Sequence, residues 1–452
     1  MFKTIKNAWK TPELRKKIIY TIVLIVIFRF GCYITIPGVD ALVLEEAMAN
    51  SSGIAGLINL ISGGAFSRLS IFAMSITPYI NASIIIQLLG FVIPALEKLT
   101  KEGGEEGRKK INRYTKILTL ILALIEGIGL YFNYKYNPDR GQNLHIFINE
   151  GFLTAAMVVA GFVAGTSILI WLGEQITNRG VGNGISMIIF VGIISRMPSA
   201  LVTIWRLIAT DSGFSTTGFL ISLAIIIGAL ALITAVVYMQ LAERRIPVQY
   251  SKRVVGRKMM GAQNTHIPLK LAMAGVMPII FASAFMTFPA MVISFVNRNI
   301  ATQVANGTAQ GFWAGVYKFS LASSDSSVGF GFTIANAIIT LLLIIGFTYF
   351  YTYATMNPAE MSTNIKKNGG FIPGIRAGKP TTEYLSSVIS KITLFGGVYL
   401  AIIAILPMLL RFTGLNIAFG GTAVLIVVGV AIETIQQLES QLVMRHYKGF
   451  LE

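Results

Sequence analysis

The chain has 452 residues, 54% of them hydrophobic and 13% charged, against roughly a quarter charged in an average soluble domain. That balance excludes a soluble globular enzyme and points to an all-α integral membrane protein. A single cysteine, Cys32, excludes an intrachain disulfide, and His145, His266 and His446 are too scattered for a metal site.

Apolar stretches of about 20 residues, enough to cross a hydrocarbon core of about 30 Å, recur along the whole sequence. The amino end, MFKTIKNAWKTPELRKK, runs into IIYTIVLIVIFRFGCYITIP with no small-residue cleavage site, which predicts a retained first helix over 18–37. Arg29 lies in its outer part, where it can snorkel or cap a carbonyl. The next segment, GIAGLINLISGGAFSRL (53–69), is amphipathic at best and broken by Gly63-Gly64. It is expected to enter the membrane from outside as a short re-entrant helix or to lie at the interface. Backbone polar groups at depth must be buried in protein or face water, so a half-inserted segment implies a cavity. The second span, 71–94, carries Thr77 and Asn81 at i, i+4, beside a bulky stripe of Ile80 and Ile84.

Further spans are expected near 115–133, 152–173, 183–203, 217–239, 271–295, 331–355, 385–409 and 415–433, ten in all. The loops on the amino-terminal side hold 28 Lys and Arg residues and the opposite loops 8, which puts both termini in the cytoplasm. The same bias accounts for most of the net charge of +17, so nucleic acid is not implied. Glu126, in TLILALIEGIGLYF, is the one carboxylate near a helix centre; a structural hydrogen bond and a functional polar position are both open there. The turn RGVGNGIS (179–186) has no strand before it, and GxxxxGK[ST], HExxH and GxSxG are absent. No cofactor, metal or catalytic site is indicated, and the chain reads as a non-enzyme.

Two cytoplasmic loops, 240–270 and 356–384, are about twice the length at which loops become functional or disordered. In RRIPVQYSKRVVGRKMMG, Ile246, Val248 and Tyr250 alternate as in a strand, and Lys252, Arg253, Arg257 and Lys258 surround Gly256, predicting a protruding basic hairpin. In the second loop Asn357, Pro358 and Glu360 open a short helix that Asn368-Gly369-Gly370 stops. FIPGIRAGKP then makes a rigid turn presenting Arg376 and Lys379, with Thr381 or Thr382 as cap of the next span. Two ordered basic projections on one face suggest a docking surface for a large acidic partner.

The blocks NLISGGAFSRLSIFAMSITPYINASIIIQLL, WLGEQITNRGVGNGIS, QNTHIPLKLAMAGVMPIIFAS, FIPGIRAGKPT and GGTAVLIVVGVAIETIQQLESQLV, in this order, closely resemble the bacterial SecY family, the channel-forming subunit of the Sec protein translocase. The resemblance implies ten transmembrane helices in two inverted pseudo-symmetric halves, 1–212 and 213–433, with a cytoplasmic tail over 434–452. It implies a plug at about 57–69, including Leu60, Ile61, Ser62, Gly63, Gly64, Ala65, Phe66 and Arg68. It also implies a pore ring of Ile80, Ile84, Ile185, Ile189, Ile280 and Ile426. Aliphatic side chains suit such a ring because they grip no particular residue and resist wetting. Between the second, third, seventh and eighth spans the family has a lateral gate, mapping onto Gln87, Glu126 and Ala272. The sequence departs from the family pattern at Glu126, usually neutral, and at Ala272, commonly Asn. Lys252, Arg253, Arg257 and Arg376 map onto the docking sites for the SecA motor ATPase and the translating ribosome. Other implied partners are the small subunits SecE and SecG, signal sequences, nascent polypeptides and membrane lipid. The implied function is export of unfolded preproteins and lateral insertion of membrane proteins at the plasma membrane. The alternative is an ion-coupled secondary transporter of a small solute. Scarce mid-membrane carboxylates and the lack of an evident broken helix at the matching place in the second half count against it.

Overall fold

The computed structural model describes residues 2–40, 64–101, 103–136, 147, 151–195, 197–210, 213–214, 216–250, 253–255, 258–260, 264–296, 300–305, 308, 310–322, 329–411 and 421–448. The chain divides into two compact units: Met1–Ser215 with Thr287–Thr333 and Val430–Glu452, and Thr216–Met286 with Ile334–Gly429.

In the first unit a short helix α1 (Phe2–Lys10) turns at Thr11, and Pro12 opens α2 (Pro12–Gly31). Proline is tolerated there because the first amides of a helix have no partner inside it. The first span was expected to reach residue 37, but α2 ends at Gly31. The chain then pairs sideways: Thr35 bridges Ser70, and Ile36 N donates to Leu69 O at 3.1 Å.

The second span also begins later than expected. Residues 71–76 are turns, Ser75 has φ 52°, and α3 (Thr77–Val92) starts only where Pro78 can sit in a first turn. Ile71 N donates to Ile34 O at 3.0 Å instead of entering a helix. The chain continues through α4 (Pro94–Lys101), α5 (Gly104–Tyr136) and α6 (Phe152–Arg179). The 33 residues of α5 extend about 50 Å at 1.5 Å per residue, more than a bilayer core requires. The single span expected over 183–203 is two helices, α7 (Gly184–Ile194) and α8 (Met197–Ile208). Pro198 explains the break, since it has no amide to continue α7. A two-residue hairpin, β1 (Ala209–Thr210) with β2 (Gly213–Phe214), follows.

The second unit opens with α9 (Thr216–Leu241) and the strands β3 (Glu243–Tyr250), β4 (Arg253–Val255), β5 (Lys258–Met260) and β6 (Asn264–Lys270). Next come α10 (Met277–Val296), α11 (Ile300–Ala305), α12 (Phe312–Leu321), α13 (Phe330–Thr355), α14 (Pro358–Lys367), β7 (Gly370–Phe371), α15 (Lys379–Arg411) and α16 (Gly421–Lys448). Among the described residues six helices are long and apolar enough to cross a membrane: those starting at Gly104, Phe152, Thr216, Phe330, Lys379 and Gly421. The other expected spans fall on α2, α3, α7 with α8, and α10, which is consistent with ten. Beyond residue 433 the chain stays helical to Lys448, and Leu438 packs with Ala8, Leu14 and Val181.

One local arrangement occurs in both units. Leu271–Val276 are turns with Gly275 at φ 58°, Leu271 N donates to Ala242 O at 2.9 Å just past α9, and Pro278 opens α10. The carbonyl of Ile71 lies over Gly165 of α6, and that of Leu271 lies over Gly396 of α15; a Cβ at either glycine would overlap the oxygen. The second half therefore does have a counterpart of the interrupted stretch before the second span. Its sequence, LAMAGVMP, is continuously apolar, so hydropathy hides the break.

Candidate functional site

Leu60, Ile61, Ser62 and Gly63 of the expected plug lie outside the described residues. From Gly64, at φ 92°, the chain makes a single 3-10 turn, Phe66–Arg68, with Ser67 Oγ donating to Gly64 O at 2.8 Å. The turn stops at Leu69, whose φ of 42° is left-handed. Ala65 is fully buried, and Phe66 and Leu69 pack with Ile36, Met74 and Phe162 in the core of the first unit. The described end of this segment is thus seated in protein.

Four of the six isoleucines belong to the first unit: Ile80 and Ile84 one turn apart on α3, and Ile185 and Ile189 one turn apart on α7. Ile280 on α10 and Ile426 on α16 belong to the second. Ile84 and Ile189 are buried and the others half-buried. Asn183 fixes the head of α7, its Oδ1 accepting from Ile185 N at 3.2 Å and Ser186 N at 3.5 Å. Two otherwise unpaired helix amides are satisfied, and Ile185 is held in the first turn.

The structure gives Glu126 a partner. On α5 it is 8% exposed and accepts a hydrogen bond from Asn81 Nδ2 of α3 at 3.1 Å. Gln87 donates to Ser83 Oγ of its own helix at 3.2 Å, one turn back. The polar pairing between α3 and α5 therefore runs through Asn81. Ala272 lies in the turn before α10, in the second unit, and is half-buried.

The two basic loops join in one sheet, ordered β6-β3-β7. Strands β3 and β6 pair antiparallel from Glu243↔Lys270 to Gln249↔Asn264, as the alternation of Ile246, Val248 and Tyr250 predicts. At its far end β3 also pairs with β7, Gln249↔Phe371 and Tyr250↔Gly370. Under the sheet Ile246, Val248 and Leu269 meet Ile365 of α14 and Leu385 and Ile389 of α15. Asn357 caps α14 as expected, its Oδ1 accepting from Ala359 N at 3.0 Å while its amide donates to Glu360 at 3.1 Å. The expected cap at Thr381 or Thr382 is displaced, because α15 already starts at Lys379. Thr381 Oγ1 donates back to Arg376 O at 2.8 Å and Thr382 Oγ1 to Gly378 O at 3.4 Å.

Arg376 is exposed on the turn and Arg253 lies on β4, whereas Lys252 and Arg257 are outside the described residues. Arg244 adds exposed positive charge on β3, and beside it Arg245 pairs with Glu243 at 2.7 Å. Nothing in the pattern Gly369-Gly370-Phe371 announces a two-residue strand. Among the described residues no group of His, Cys, Asp and Glu is arranged to hold a metal ion.

A family model described as SecY matches residues 70–435. The protein translocase subunit SecY of Streptomyces scabiei is 43% identical over 460 residues, covering 100% of both chains. That of Bacillus subtilis (strain 168) is 40% identical over 457 residues, again covering 100% of both. A solved structure of a protein-conducting channel superposes with a TM-score of 0.62 at 21% identity, covering 94% of this chain and 92% of that one. Sec61 in the canine ribosome-channel complex from the endoplasmic reticulum superposes with a TM-score of 0.59 at 19% identity, over 94% and 92% of the two chains. The interrupted helices, the buried turn and the two-loop sheet described above thus sit on the fold of a protein-conducting channel, and the chain belongs to the SecY family of protein translocase subunits.

Proposed function

We propose that this chain forms the channel of a bacterial plasma-membrane translocase, with both termini in the cytoplasm. It exports unfolded preproteins and releases membrane helices sideways into lipid. It performs no chemistry of its own in this reading, and partners drive transport. The observation that carries the reading is full-length kinship with protein translocase subunits, 43% identical to that of Streptomyces scabiei. The relatives give no support to a small-solute transporter.

In the proposed channel the halves 1–212 and 213–433 each contribute to an aliphatic constriction of Ile80, Ile84, Ile185, Ile189, Ile280 and Ile426. A narrow apolar ring closes around a moving chain without binding it and dewets when empty. The segment ending in Ala65, Phe66 and Arg68 closes the outer side as a plug. Gln87, Glu126 and Ala272 border the lateral gate, with Asn81 added by its bond to Glu126. Lys252, Arg253, Arg257 and Arg376 receive SecA or the ribosome. A Sec61 relative solved in a ribosome complex supports the ribosome as a partner; SecE and SecG complete the assembly.

Site-specific crosslinking tests pore and substrate together. A photoreactive residue at position 84 or 280 is expected to capture a stalled secretory chain, and one at lipid-exposed Leu220, 59% exposed on α9, is not. Equal capture from all three positions would refute the ring.

A further inference from the structure

We propose that Tyr33 is a positioning residue that clasps Arg68 and so holds the outer end of the plug segment against the first span. The proposal rests on the channel reading above and names one contact that helps to keep the plug segment seated at rest.

Tyr33 lies two residues past the end of α2 and is 59% exposed, so packing does not account for its place. The guanidinium carbon of Arg68 is 4.9 Å from the centroid of its ring, and that of Arg29 is 5.8 Å from the same centroid. Both are within the distance at which a cation is drawn to the ring quadrupole. The ring is thus shared by two guanidinium groups, and Arg29 is further favoured by the carbonyl end of α2. Arg68 closes the Phe66–Arg68 turn, and Leu69 follows in a left-handed conformation that L side chains seldom adopt. Such a conformation persists only where its surroundings impose it. Those surroundings are the bridge Thr35↔Ser70, the bonds from Ile36 N to Leu69 O and from Ile71 N to Ile34 O, and the core in which Leu69 is buried. The backbone bonds secure Leu69 to Ile71. Tyr33 extends the hold to Arg68, the last residue of the turn.

The test uses the full chain with its partner subunits in proteoliposomes, reading ion efflux without substrate. Tyr33→Leu keeps apolar bulk but removes the aromatic face, and efflux is expected to rise roughly threefold or more, the factor a contact of this class supplies. Arg68→Gln is expected to do the same, and the double variant no more than either alone. Tyr33→Phe and Tyr33→Trp keep the ring face and should stay at the parent level; a role through the hydroxyl would fail with both, and a role in close packing would fail with the larger Trp. Deletion of 60–68 serves as the reference. If that deletion opens the channel while Tyr33→Leu does not, the clasp is overturned and the plug stands. If the deletion leaves efflux unchanged, the plug reading falls and the clasp with it. Leak through Tyr33→Phe equal to that through Tyr33→Leu would also overturn the clasp.

Discussion

Glu126 is a carboxyl group at the middle of an apolar helix, 8% exposed, and Asn81 Nδ2 is its hydrogen-bond donor at 3.1 Å. A side-chain amide suits this position because it offers donors without bringing a second charge into an apolar bundle. Removing the donor leaves a buried acceptor unsatisfied, at a cost of about 1–3 kcal/mol. Asn81→Leu is therefore expected to lower the stability of the purified protein by about 2 kcal/mol, read as a shift in the denaturation midpoint followed by tryptophan fluorescence. The double variant Asn81→Leu with Glu126→Leu removes both polar groups and should recover most of the loss. A double variant as unstable as Asn81→Leu alone would mean that the pair does not hold α3 to α5. The alternation of polar and bulky positions made Thr77, Asn81, Ile80 and Ile84 readable in the sequence. The partner of Glu126 was not readable, because 45 residues separate it from Asn81.

Pairing of β3 with β7 converts two loops into one platform. Gly370 stands so close to Tyr250 that a Cβ would meet the ring carbon Cε1 at 2.8 Å and Ile365 Cγ2 at 3.1 Å. Gly370→Ala overpacks that joint, at about 1–3 kcal/mol, and should detach the Arg376 turn from the hairpin. Trypsin cleavage after Arg376 or Lys379 in the assembled protein is then expected to quicken by roughly tenfold, since local opening governs access. Tyr250→Val makes room for the methyl group and should restore slow cleavage to Gly370→Ala. If it does not, the loops are not coupled through this contact. The hairpin and the cap of α14 were legible because each carries a local signature: alternation at Ile246, Val248 and Tyr250, and Asn357-Pro358 followed by Glu360. Strand β7 has two residues and no period, so only tertiary pairing reveals it. The interrupted stretches 71–76 and 271–276 escaped for the opposite reason. Their residues are as apolar as a helix, and only Pro78 and Pro278 mark where helix begins.

At the scale of the whole molecule the sequence alone supplied the membrane class and the order of spans, because the bilayer imposes a length rule on every segment that crosses it. The proposed closure needs contributions from both halves: isoleucines on α3, α7, α10 and α16, and the segment ending at Arg68. In the proposed channel ring and plug would act in series along one path, each adding to the barrier to ions. Replacing Ile84 and Ile280 with Asn wets the constriction but leaves the plug, and deleting 60–68 removes the plug but leaves an apolar ring that dewets. Each change alone is expected to raise ion efflux from proteoliposomes, the deletion by at least as much as the roughly threefold expected of Tyr33→Leu. Together they should exceed the sum of the two by roughly tenfold, because a water-filled path then has no dry section. Merely additive effects would mean that the two elements block separate routes. An unchanged rate in the combined variant would mean that neither bounds the conducting path, and the constriction would have to be sought on other faces of these helices.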